Sequence, residues 1–129
     1  MDMSIENRLT EAAKEAVKHT YSPYSHFGVG AALWAGGRIY TGTNIENASY
    51  SMTICAERVA VFYAIFSGER DLQAICVYHN GEQLPYPCGA CLQVLSEFCS
   101  DMDVLLISDK EKKKCKLSDL LPTGFKLKQ

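Results

Sequence analysis

The chain has 129 residues, 47% of them apolar and 22% charged, with a formal charge of −2 at pH 7. A chain of this length builds one domain, residues 1–129, with a core that needs no disulfides. Its slightly acidic balance argues against nucleic acid as a partner, which needs a basic face to displace counterions from phosphates. No apolar run reaches the ~18–20 residues that span a bilayer. The N-terminus lacks a basic stretch followed by an apolar core and cleavage site, so a cytoplasmic location and no membrane partner are expected.

From Ser4 to about Thr20, Ile5, Leu9, Ala12, Ala13, Ala16 and Val17 fall on one helical face, with Ser4 as the expected N-cap. Pro23 breaks this helix. Val29–Trp34 and Arg38–Thr41 read as strands joined by Ala35-Gly36-Gly37, a hairpin signal. Asn44-Ile45-Glu46-Asn47 is turn-prone. The apolar residues of Ile54–Ser67 predict a helix buried on more than one face, stopped at Gly68. Leu72–Tyr78 predicts a strand, followed by an Asn80-Gly81 turn. Pro87 opens a third helix running to about Phe98, and Val104–Ile107 is the next strand. A short strand near Lys114–Leu117 precedes a turn of helix capped by Ser118 and ended by Pro122. Lys110, Lys112, Lys113, Lys114 and Lys116 cluster, but Asp109 and Glu111 interrupt them, which predicts a solvated hairpin or loop.

This order implies an α/β sandwich. Crossovers between parallel strands are nearly always right-handed, so helices 54–67 and 88–98 share one face of the sheet. Their N-termini then lie side by side at the carboxyl ends of the strands, where open α/β sheets place ligands.

The six cysteines are Cys55, Cys76, Cys88, Cys91, Cys99 and Cys115. In a reducing cytosol they are not expected to form a disulfide framework. Cys76 lies in an apolar run and reads as core. Cys88 and Cys91 are spaced so that one helical turn directs both sulfurs at one ion, and Cys55 opens the neighbouring helix. Zinc takes tetrahedral sulfur and nitrogen ligands, so three cysteines leave a fourth position open, as a catalytic site requires. His19, His26 and His79 have no spacing that supplies a fourth ligand.

Three thiolates leave the ion with a formal charge of −1. Two helix N-termini and a hydrogen bond from Arg58 to a ligand sulfur would offset it. Glu57, two residues from Cys55, is placed to act as acid and base toward a metal-bound water.

Cys55-Ala56-Glu57 with Pro87-Cys88-Gly89-Ala90-Cys91 resembles the zinc deaminase signature. Over most of its length the chain resembles the small, homotetrameric cytidine deaminase family. The likeness is carried by Tyr24 to Ala32, Gly42 to Tyr50, Cys55 to Arg58, Pro87 to Cys91, and Leu120-Leu121-Pro122 with Phe125.

The resemblance implies a three-layer α/β/α sandwich with a mixed five-stranded sheet. It implies zinc, one ion per subunit on Cys55, Cys88 and Cys91, and hydrolytic deamination of cytidine or deoxycytidine at C4 by a zinc-bound hydroxide, in pyrimidine salvage. Glu57 would be the proton shuttle. Phe27 would stack on the pyrimidine, Asn44 and Glu46 would bond the ribose, and Ala56 would contact the base through its backbone. Tyr50 would lie near a pocket shared between subunits, and Phe125 would reach a neighbouring site in a homotetramer.

The chain departs from the family's habit at Leu92, where arginine is usual, and at Thr43, where cysteine is common. Its tail after Phe125 is short. Other functions consistent with parts of the pattern are deamination of a cytosine-containing antibiotic such as blasticidin S, deamination of cytosine in RNA or DNA, and a zinc-stabilised binding protein without activity. Glu57 argues against the last, because a structural site needs no acid or base beside its ligands.

Overall fold

A computed structural model describes residues 1–129. The helices are α1 (Met3–Ala16), α2 (Ala56–Phe66), α3 (Gly89–Glu97) and α4 (Leu117–Leu120). The strands are β1 (Val29–Ala35), β2 (Arg38–Thr43), β3 (Leu72–His79), β4 (Asp103–Ile107) and β5 (Lys112–Lys116). They form one mixed sheet in the order β2-β1-β3-β4-β5, in which only β3 and β4 are parallel neighbours. The expected α/β fold and five-stranded sheet are present.

The sheet separates two apolar layers. Leu9 and Ala13 of α1, with Val17 just after it, pack with Ala32, Cys76 and Leu105 on one face. On the other face, Ala56, Ala60 and Ala64 of α2 and Leu92 and Leu95 of α3 cover Leu33, Ile75, Val77 and Leu106. Alternation along each strand sends successive side chains to opposite layers. The helices after β2 and β3 thus lie on one face, as the crossover rule requires. Burying a leucine such as Leu105 or Leu95 stabilises the fold by roughly 1.5–3 kcal/mol.

One close approach seats the site. A Cβ on Gly42 of β2 would lie 2.5 Å from the Ala56 carbonyl oxygen and 2.6 Å from the Ala60 nitrogen. Only a glycine lets the first turns of α2 rest directly on the strand, and Cys55 immediately precedes that turn.

Several boundaries differ from the sequence reading. Asp2, not Ser4, caps α1, its carboxylate accepting the Ile5 N–H at 2.9 Å. The α-helix ends at Ala16 and continues as a 3₁₀ turn over Val17–His19, short of Thr20. Ser118 lies inside α4 rather than capping it, and its hydroxyl bonds Asp101 at 2.8 Å. Asp119 instead reaches back to the Lys116 N–H at 2.9 Å.

The lysine cluster falls on an exposed hairpin strand, as expected, and two of its members also hold a buried carboxylate. Lys112 and Lys114 of β5 both pair with the Glu6 carboxylate, which is only 2% exposed. Residues three and seven before the buried Leu9 and Ala13 share their face of α1, so Glu6 points at the sheet and must find cations there.

Candidate metal centre and ligand cavity

Cys55 and Cys88 are the N-cap residues of α2 and α3, both extended, with no side-chain hydrogen bond closing either helix end. Cys91 sits in the first turn of α3 and is fully buried. The three sulfurs all lie within 4.8 Å of one another, and those of Cys88 and Cys91 are 3.6 Å apart. Sulfurs placed tetrahedrally at the ordinary zinc–sulfur distance stand about 3.8 Å apart, so this donor set fits zinc. No histidine joins the group.

The surroundings favour thiolate. Two helix N-termini place unpaired N–H groups and partial positive charge at the cluster. Arg58 donates from Nη2 to the Cys55 sulfur at 3.3 Å. A hydrogen bond from the Cys91 thiol, helped by Arg58, holds Cys55 down at about 5, whereas Cys91 is pushed upward by its bond to Cys55. The Arg58 Nε–H is buried without a partner, so its donors outnumber the acceptors that the chain supplies.

Glu57, next to Cys55, is 5% exposed, and burial raises its carboxyl to about 7. Such a group can hold or release a proton near neutrality.

A cavity of roughly 390 Å³ opens over these residues, lined among others by Phe27, Asn44, Cys55, Ala56, Glu57 and Cys88. An adjoining cavity of roughly 350 Å³ is lined by Tyr24, Ser25, Glu46, Tyr50 and Thr53, with Ser25 and Thr53 bordering both.

Asn44 and Glu46 are occupied within the chain. The Asn44 side-chain oxygen accepts from the Thr20 hydroxyl at 2.6 Å and the Val29 N–H at 3.0 Å, and its amide donates to the Phe27 carbonyl at 2.7 Å. One Asn44 N–H remains for a ligand. Glu46 accepts from the Tyr24 N–H at 2.9 Å, the Ser25 N–H at 3.1 Å and the Ser25 hydroxyl. Both side chains therefore shape the loop that carries Phe27.

Of the predicted substrate contacts, Phe125 is the one that lines neither cavity. It is 66% exposed, and its backbone is clasped by the Gln93 side chain of α3 through bonds of 2.8 and 3.0 Å. Leu92, where the resembled family usually carries arginine, is buried in the apolar layer under α3. Thr43 donates its hydroxyl to the Val29 carbonyl at 2.8 Å.

Sequence reasoning missed Tyr86 and Pro85, which line the larger cavity just before the second metal-binding motif. It also missed His79, whose ring stacks on Phe27. Only the position of Tyr86 and Pro85 beside Pro87-Cys88 offered a signal; nothing in the spacing links His79 to Phe27.

The comparisons agree with this geometry. The family described as the cytidine and deoxycytidylate deaminase zinc-binding region matches residues 3–107. A cytidine deaminase of Sporosarcina psychrophila is 46% identical over 126 residues, covering 95% of this chain and 92% of that protein. One of Halalkalibacterium halodurans is 44% identical over 120 residues, covering 91% of each. The crystal structure of the cytidine deaminase of Burkholderia pseudomallei superposes with a TM-score of 0.88 at 40% identity, over 97% of this chain and all of that one. The metal-fitting thiols, the cavity above them and these likenesses converge: the chain belongs to the cytidine and deoxycytidylate deaminase zinc-binding family.

Proposed function

We propose that this chain hydrolyses cytidine and deoxycytidine to uridine and deoxyuridine, releasing ammonia, as a step of pyrimidine salvage in the cytoplasm. The observation that carries the proposal is the buried Glu57 carboxyl sharing one cavity with Cys55 and Cys88 of the three-thiol cluster. The names of the relatives supply the substrate class.

Cys55, Cys88 and Cys91 would hold one zinc ion per chain, which when bound supplies a nucleophilic water at neutral pH. Arg58 draws charge from the Cys55 sulfur through its hydrogen bond. Glu57 takes one proton from the attacking water and delivers it to the ring nitrogen beside C4, then takes the second from the hydroxyl now on C4 and passes it to the departing amine. Water and cytidine thus become uridine and ammonia with no net change in Glu57. Its rise to about 7 suits both directions of transfer.

Phe27 offers an aromatic face to the flat base, and the Ala56 backbone contacts the base edge. The remaining Asn44 N–H and Glu46 lone pairs read the ribose while their other bonds hold them rigid. Tyr50 is 74% exposed and Phe125 66%, with Phe62, Tyr63 and Phe66 exposed along α2. Such uncovered aromatic surface supports a homotetramer in which Tyr50 and Phe125 meet neighbouring chains. The whole chain acts as one domain around the shared sheet.

The test is uridine formation from cytidine by the purified, zinc-loaded protein, followed by ultraviolet absorbance. Turnover that stops when a chelator removes the metal is the expected result. Absence of turnover with zinc bound would overturn the proposal.

A further inference from the structure

The imidazole of His79 lies flat against the Phe27 ring, with centroids 3.6 Å apart and planes 11° from parallel. Phe27 lines the larger cavity and His79 does not. His79 therefore stands behind the face that Phe27 offers to a ligand.

The other supports of Phe27 act on its backbone. Its N–H donates to the Ser25 hydroxyl at 3.1 Å, and its carbonyl accepts from Asn44 at 2.7 Å. The preceding His26 adopts a left-handed φ of 56°, which turns the chain into the loop. None of these sets the plane of the ring.

His79 is itself immobilised. It is the last residue of β3 and is 8% exposed. Its Nδ1 lies 2.6 Å from the Gly28 carbonyl oxygen, an acceptor only, so Nδ1 carries the proton and donates it. A Cβ on Gly81 would lie 2.5 Å from Nε2, so the turn after β3 closes tightly on the Nε2 end of the imidazole and admits no side chain.

We infer that His79 is a positioning residue whose ring is the rear wall holding Phe27 in plane for base stacking. The inference rests on the reading of Phe27 as the base-stacking residue. An aromatic ring already fixed in its bound orientation loses no rotamer freedom when a ligand arrives, and that saving appears as affinity. The Gly28 carbonyl orients the imidazole, the imidazole orients Phe27, and no group of His79 reaches the reacting atoms.

The experiment measures kcat and KM for cytidine on the zinc-loaded enzyme, and uridine binding by calorimetry, for two His79 variants. His79→Asn keeps a donor near the Nδ1 position but has no ring. His79→Phe keeps a flat ring but has no donor. His79→Asn should raise KM and weaken uridine binding by about 3- to 10-fold, the size of an aromatic stacking contribution. Its kcat should stay within about twofold, because ground-state and transition-state binding are lost together. His79→Phe should restore both affinities while melting lower, since the Gly28 carbonyl loses its donor.

In a Phe27→Ala background, His79→Asn should add nothing, because its effect passes through the missing ring. Gly81→Ala, whose Cβ would crowd the Nε2 end of the imidazole and displace it, gives a second route should His79→Asn fail to fold, and should also raise KM. Unchanged KM in both His79→Asn and Gly81→Ala, or His79→Phe as impaired as His79→Asn, would overturn the inference. A Phe27→Ala enzyme with wild-type KM would instead overturn the base-stacking reading on which it stands.

Discussion

Exchanging Glu57 for Gln preserves the size of a buried side chain and removes both its charge and its capacity to carry a proton. Burial raises the Glu57 carboxyl from an ordinary 4.5 to about 7, with repulsion from Cys55 adding to the rise. In the folded, metal-free protein the group therefore holds its proton more tightly than in the unfolded chain. Ionisation begins to destabilise the fold as pH rises above 4.5, and the full cost is reached above about 7. That interval corresponds to roughly 3 kcal/mol.

Glutamine never ionises, so metal-free Glu57→Gln should be more stable than wild type by about 2–3 kcal/mol at pH 8 and nearly equal to it at pH 4. For a chain of this size the gain at pH 8 is roughly 6–12 °C in melting temperature. Denaturant unfolding of chelator-treated protein at the two pH values reads the difference directly. The zinc-loaded variant should bind metal normally and lose about 10²- to 10⁴-fold in turnover, the usual contribution of a positioned acid or base. A stability gain that is the same at pH 4 and pH 8, or no gain at all, refutes the burial argument. Retained turnover refutes the proton-carrying role.

Cys91→Ala should abolish stoichiometric zinc binding, read as metal content after gel filtration, because two remaining thiols cannot hold a catalytic ion tightly. Gly42→Ala should destabilise the fold by about 1–3 kcal/mol through overpacking, seen in urea unfolding, since its Cβ would fall 2.5 Å from the Ala56 carbonyl oxygen. It should also weaken zinc binding by displacing the start of α2 and with it Cys55. Bonds from Lys112 and Lys114 lower the Glu6 pKa below 4.5, so their contribution is complete above 4.5 and is lost as pH falls through the lower folded value. Glu6→Gln should accordingly cost about 1–2 kcal/mol at pH 7, small because both lysines are half exposed. The gap between Glu6→Gln and wild type should close in acid, and a pH-independent gap would show that the ion pairs are not its source.

The zinc-fitting cluster was legible because its parts are local. Cys88 and Cys91 need only one helical turn to converge, and the handedness of crossovers brings Cys55 beside them. Sheet and helices were legible for the same reason, since apolar periodicity encodes which face is buried. Caps were read less well: Asp2 and Ser4 are both competent caps, and only the path of the chain decides between them.

Residue order by itself thus determined the elements, the fold class, the metal-binding motifs and the carboxylate beside them. Tertiary structure alone decided that Asn44 and Glu46 brace the Phe27 loop, that Glu6 is buried against two strand lysines, and that Phe125 lies along α3 rather than at the cavity. It alone placed His79, at the end of β3, against Phe27, two residues before β1. The physical reason is range. Helical and strand periodicity is written in neighbouring residues, whereas a hydrogen bond or ring stack between distant segments exists only once the sheet has set their register.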